Sequence, residues 1–167
     1  MFYPTHSLGL IVGVTKERII RVSCQGPRVG DSLPSPEENR YRNPFNNERA
    51  LGYTDKGNIC RFGVFWQVTA EGERGQWPGE RMSCSMAGSG GQPQGTKKMG
   101  RKWGPWDVPR YWKDDRLPTK IRRHSGHGGS ATFLSAEFID ALVEGREPTV
   151  NLYDAIATTA PGRVAHQ

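Results

Sequence analysis

Tyr3-Pro4-Thr5-His6 is the segment of this chain whose residue types best suit proton chemistry. A histidine set behind a proline turn, at the entry of an apolar run, can act as a general acid or base. The phenol three positions earlier can serve it as a hydrogen-bond partner. A second candidate is Gly126-His127-Gly128-Gly129-Ser130-Ala131, which has the G-x-G-x-x-G/A form of a dinucleotide loop and opens a helix. Its context does not suit a nucleotide: Lys120 to Ser125 is no buried parallel strand, and no βαβ unit follows. What these glycines can do is bring backbone close to a ligand, or hold an anion at the start of the helix. His124 and His127 have no third metal ligand nearby. Cys24, Cys60 and Cys84 are odd in number and lack C-x-x-C spacing, so neither a zinc site nor a disulfide framework is supported. They read as small hydrophobes on strands.

The basic excess is local. Lys and Arg number 23 against 17 Asp and Glu, a formal charge of +6. Ten of those cations and three Asp fall between Lys97 and Arg123, interleaved with Trp103, Trp106, Tyr111 and Trp112. Cations alternating with rings suit phosphate pairing with base stacking. They suit an anionic or sugar ligand on tryptophan equally well. No nucleic-acid-binding motif accompanies them, so nucleic acid is not the expected partner.

These groups must be positioned by a thin core. Leu, Ile, Val and Phe number 31 of 167 residues, beside 21 Gly and 12 Pro. That aliphatic share lies just under the roughly 20% at which highly charged chains tend to disorder. The length suits one domain. No apolar run approaches the roughly 18 residues of a membrane span, and Met1 to His6 carries no export signal. A cytoplasmic chain that leans on something else is the expectation.

Leu8 to Val14 predicts a short helix opened at His6-Ser7, and Arg18 to Cys24 a strand. Gly26 to Asn47 is polar, with prolines at 27, 34, 36 and 44, and reads as a long surface loop. Arg49 to Thr54 and Ile59 to Val68 flank Asp55-Lys56-Gly57-Asn58, a hairpin turn. Phe62, Val64, Trp66 and Val68 alternate and would share one face. A further strand near Glu80 to Met86 would complete a meander. Gly88 to Gly129 has no periodicity. Ala131 to Glu144 is an amphipathic helix carrying Phe133, Leu134, Phe138, Ile139, Leu142 and Val143 on one stripe, with Gly145 as its cap. Asn151 predicts the N-cap of a last helix, with Asp154 in its first turn, and beyond Pro161-Gly162 the chain reads as truncated. The fold class is therefore α+β: an open, mainly antiparallel sheet with helices on one face and long Gly/Pro/Trp-rich loops.

Two segments in this order resemble the glucose–fructose oxidoreductase/inositol dehydrogenase/MocA superfamily. Tyr3-Pro-Thr-His-Ser-Leu-Gly9 is the first. Gly126-His-Gly-Gly, the helix Phe133 to Glu144 with Gly145-Arg-Glu-Pro, and Leu152-Tyr-Asp-Ala155 form the second. The closer likeness is to the NAD-dependent glycoside hydrolases typified by α-N-acetylgalactosaminidases. The resemblance implies that residues 1–167 are the C-terminal substrate-binding and dimerisation domain of a two-domain enzyme whose Rossmann domain is absent. It implies NAD or NADP in the full-length parent, none bound by this chain alone, a sugar or glycoside substrate, and homo-oligomers formed through the sheet. His6 matches the family's active-site histidine, Tyr3 a sugar-contacting tyrosine, and His127 and Gly128 the loop lining the pocket. The implied activity is hydride transfer from a sugar carbon with His6 as acid/base. The run His6-Ser-Leu-Gly9 lacks the aspartate common in the sugar dehydrogenases, which leaves glycoside cleavage by oxidation and elimination as the alternative. A non-catalytic dimerisation scaffold is a further one.

Overall fold

The computed structural model describes residues 1, 3–27, 37–38, 40, 42, 45, 47–69, 72–86, 88, 92–97, 102–107, 115, 117–119 and 129–165. The chain divides into two compact units, Met1–Pro105 with Leu152–Gln167, and Trp106–Asn151.

The first unit opens with α1, Thr5–Thr15. Pro4 stands at its N-cap with φ −74°, a value its ring presets for a helix start. Gly9 and Gly13 cost this helix propensity, and packing compensates: Leu8 and Val12 are completely buried. Lys16, in the left-handed region at φ 56°, ends the helix with its N–H on the Val12 carbonyl.

Three antiparallel strands follow, β1 (Ile19–Gln25), β2 (Asn47–Thr54) and β3 (Ile59–Phe65), in the order β1-β2-β3. Cys24 faces Ala50 across one ladder, and Ala50 faces Phe62 across the next. Side chains alternate across a strand, so this row falls on a single face. Against it pack Met1, Leu8 and Ile11, with Ala165 from the far end of the chain. Gly52 belongs to the same face, where a Cβ would stand 2.9 Å from the Cys60 sulfur. The β2–β3 turn closes through Gly57 at φ +86°, as the Asp55 to Asn58 sequence predicts. Beneath it the buried Glu17 carboxylate accepts from the Thr54 hydroxyl at 2.5 Å and from the Asn58 amide at 3.0 Å.

The last helix of this unit, α2 (Leu152–Val164), crosses back over α1. Asp154 in its first turn accepts from Arg18 Nη2 at 2.8 Å and Lys16 Nζ at 3.4 Å. Gly162 lies directly against the Pro4 ring, where a Cβ would fall 2.7 Å from the proline Cβ. The Met1 ammonium donates to the Gly162 carbonyl and pairs with the buried Glu48 carboxylate, each at 3.0 Å.

A second antiparallel sheet is built from short strands: β4 (Gly75–Trp77), β5 (Ser83–Met86), β6 (Gln94–Thr96) and β7 (Gly104–Pro105), in that order. The fold is thus α+β with open antiparallel sheets, as the residue pattern indicates. The strand foreseen near Glu80 to Met86 does not extend the first sheet but sits in this second one. Two segments within the aperiodic stretch, Gln94–Thr96 and Gly104–Pro105, also form strands. They pair through backbone alone, so side-chain periodicity carries no trace of them.

In the second unit the principal element is the helix Ser130–Glu144.

 This helix starts at Gly129, φ +105°, and ends at Gly145, φ +64°, whose N–H returns to the Ala141 and Leu142 carbonyls. Only glycine adopts both conformations without strain. Just past the end, Glu137 gathers the following turn: Arg146 donates to it from Nη1 at 2.8 Å and Nη2 at 3.0 Å, and Thr149 from its hydroxyl at 2.7 Å. These donors hold the Glu137 carboxyl down at about 2. The expected apolar stripe is on the surface, with Leu134, Phe138 and Ile139 each 56% exposed. Among the described residues no helix is long and apolar enough to cross a membrane.

Candidate functional site

The head of α1 is where side chains of chemical interest converge. Tyr3 adopts φ +56°, a left-handed conformation rare outside glycine. With Pro4 opening the helix behind it, the phenol ring turns back over the first helical turn. Its centroid lies 4.7 Å from the His6 imidazole, the planes 31° apart. On its other side the same ring meets the edge of Trp66 at 6.3 Å. Trp66 and Tyr3 are both more than half exposed.

His6 is held by more than this ring. Its Nε2 lies 3.3 Å from the Glu73 carboxylate, while Nδ1 is buried. One position on, the Ser7 hydroxyl donates to the Gly63 carbonyl of β3 at 2.7 Å, and Leu8 then enters the core. The first turn of α1 is thereby fixed on the sheet, and the imidazole stands at its outer end. A histidine whose reachable nitrogen faces a carboxylate can accept a proton and have the resulting imidazolium stabilised. Two exposed rings beside it form an apolar wall with a polar hydroxyl at its rim.

The structure brings Tyr3 and His6 together. His127 and Gly128, with His124, lie outside the described residues, as does most of the basic Trp-rich stretch. Trp66 and Glu73 are additions that sequence reasoning missed. Alternation places Trp66 on one face with Phe62 and Val64, in a strand reaching Val68. The strand instead ends at Phe65. Asn47 explains the stop: its side chain donates to the Gln67 carbonyl and accepts from the Gln67 N–H, replacing the next rung of the ladder. Trp66 and Val68 consequently leave the core face, and Val68 is 47% exposed. Glu73 sits in the connection to β4, and no local motif marks it.

Cys24, Cys60 and Cys84 lie on β1, β3 and β5 as half-buried free thiols, and burial pushes each pKa up. Among the described residues no group of three or more His, Cys, Asp or Glu is placed to hold a metal. The described residues do not build a dinucleotide cradle either, since every strand pair among them is antiparallel.

No protein-family model matches the chain, and no curated protein matches it. Solved structures do. One is the UDP-N-acetylglucosamine 3-dehydrogenase of Acidithiobacillus ferrooxidans, matched at a TM-score of 0.70 and 13% identity. The match covers 97% of this chain and 45% of the enzyme, so the chain spans less than half of that protein's length. The likeness is one of fold.

Proposed function

We propose that this chain is the sugar-binding domain of a dehydrogenase of the glucose–fructose oxidoreductase/inositol dehydrogenase/MocA type. The observation that carries the reading is the Tyr3, His6, Glu73 and Trp66 cluster at the head of α1. The fold likeness to a sugar-nucleotide dehydrogenase and the resemblance of the Tyr3 to Gly9 segment support it. In this reading a sugar ring lies along the Tyr3 and Trp66 rings. The His6–Glu73 pair takes up the proton of a sugar hydroxyl, and the Glu73 carboxylate stabilises the imidazolium that results. NAD or NADP would belong to a Rossmann domain of the parent enzyme.

UDP-N-acetylglucosamine is the first probe. Titrated into the chain, it should shift the Tyr3 and His6 side-chain resonances in NMR spectra and change the Trp66 fluorescence. Tyr3→Ala and Trp66→Ala should each weaken binding by about tenfold, the order expected for a lost aromatic contact. In a parent carrying the cofactor domain, His6→Ala should lower kcat by about 10²–10⁴-fold with little change in KM. Full turnover in that variant would refute the role of His6.

A further inference from the structure

The carboxylate that faces His6 comes from a chain segment running beside α1, and that segment meets the helix at two successive levels. At the first, the Glu73 carboxylate lies 3.3 Å from His6 Nε2. At the second, Gly75 meets Leu10, and there is no room for a side chain between them. A Cβ on Gly75 would stand 3.1 Å from Leu10 Cδ1 and 2.9 Å from the Trp77 ring, which folds back over the same spot. His6 and Leu10 are four residues apart on one helix face, and Glu73 and Gly75 are two apart on the approach to β4. Four helical residues rise about 6 Å and two strand residues about 6.6 Å, so the two levels match in spacing. Leu10, Gly75 and Trp77 are all half-buried.

We propose, on the reading of His6 as the acid or base, that Gly75 and Leu10 are positioning residues for the His6–Glu73 pair. The bare backbone of Gly75 lets the start of β4 settle against α1, and that approach brings the Glu73 carboxylate to His6. A side chain at position 75 must displace the Leu10 methyl, the Trp77 ring or the strand itself. Of the two elements, the helix is the harder to move. Leu8 and Val12 anchor α1 in the core, and the Ser7 hydroxyl ties its first turn to the Gly63 carbonyl. β4 pairs with β5 over three residues and contains no buried one. The strand therefore gives way, and Glu73, two residues upstream, leaves His6 with it. Tyr3 and Trp66 pack on the far side of this contact from the same helix head and keep their places.

The carboxylate at His6 can be read without any sugar, from the rate at which diethyl pyrocarbonate modifies the imidazole. The reagent attacks a neutral ring nitrogen, and a carboxylate beside an imidazole favours the protonated ring. Peptide mass spectrometry separates His6 from His124, His127 and His166. Glu73→Gln should raise the His6 rate about threefold, the order expected for losing a partly exposed ion pair. Gly75→Val should raise it by the same factor and add nothing in the Glu73→Gln background, because both changes act through one carboxylate. Gly75→Ala should give part of the rise, and adding Leu10→Ala, which clears space for the new methyl, should remove it. An unchanged His6 rate in Gly75→Val would overturn the proposal. So would an additive rise in the double variant, which marks a loosened helix head rather than a displaced carboxylate. Binding of UDP-N-acetylglucosamine is a separate arm. Its absence in the unsubstituted chain would sink the sugar reading, whereas the His6 rates decide the positioning role.

Discussion

The two sheets of the first unit are both antiparallel and open, yet they are held by different means. The β1–β2–β3 sheet has strands of seven or eight residues, and its inner face closes over Leu8, Ala50 and Phe62. The β4–β7 sheet has strands of two to four residues, none of which contains a buried residue. In the first, burial specifies register, because a slip of one residue would turn Phe62 and Ala50 to solvent. In the second, register rests on backbone pairing. The candidate site takes His6 from a helix clamped to the deep sheet and Glu73 from the approach to the shallow one. Its histidine is therefore the fixed partner and its carboxylate the adaptable one.

The largest effect should come from the deep sheet. Phe62→Ala, at 4% exposure, should cost about 3–4 kcal/mol of unfolding free energy in urea titrations. A cost under about 1 kcal/mol would erase the contrast between the sheets. An intermediate effect belongs to Asp154, which ties α2 to Lys16 and Arg18. The Arg18 hydrogen bond, followed by that of Lys16, holds its pKa below the ordinary carboxylate value of 3.8. A carboxyl lowered by folding stabilises the protein fully above its unfolded pKa. That contribution drains away as the pH falls through the ordinary value toward the folded one. Thermal melts from neutral to acid pH should show this loss, and Asp154→Asn should flatten the slope in that window. A slope unchanged by the substitution would remove the ion pairs from the account. The smallest effect should be in the shallow sheet, where Cys84→Ala should move stability by less than about 0.5 kcal/mol.

Local pattern made part of this legible. The β2–β3 hairpin follows from Asp55 to Asn58 between two alternating runs, and α1 from its apolar run behind Pro4. Tyr3 and His6 meet because a proline turn brings residues three apart onto one helix head. Trp66 and Glu73 were not legible by the same means. Trp66 reads as a core residue by alternation, and only the Asn47 side chain, distant in sequence, ends the strand before it. Glu73 reaches His6 across a chain reversal that no spacing rule records. The short strands β6 and β7 offered Gly, Gln, Thr and Pro, residues whose side chains carry no period.

The sequence by itself determined the α+β class, the hairpin, the helix cap at Gly145, and the neighbourhood of Tyr3 with His6. Each depends on residues close together in the chain. Tertiary structure alone decided the division into two sheets and the partner of His6. These depend on which strands pair and where pairing stops, and contacts between distant segments set both.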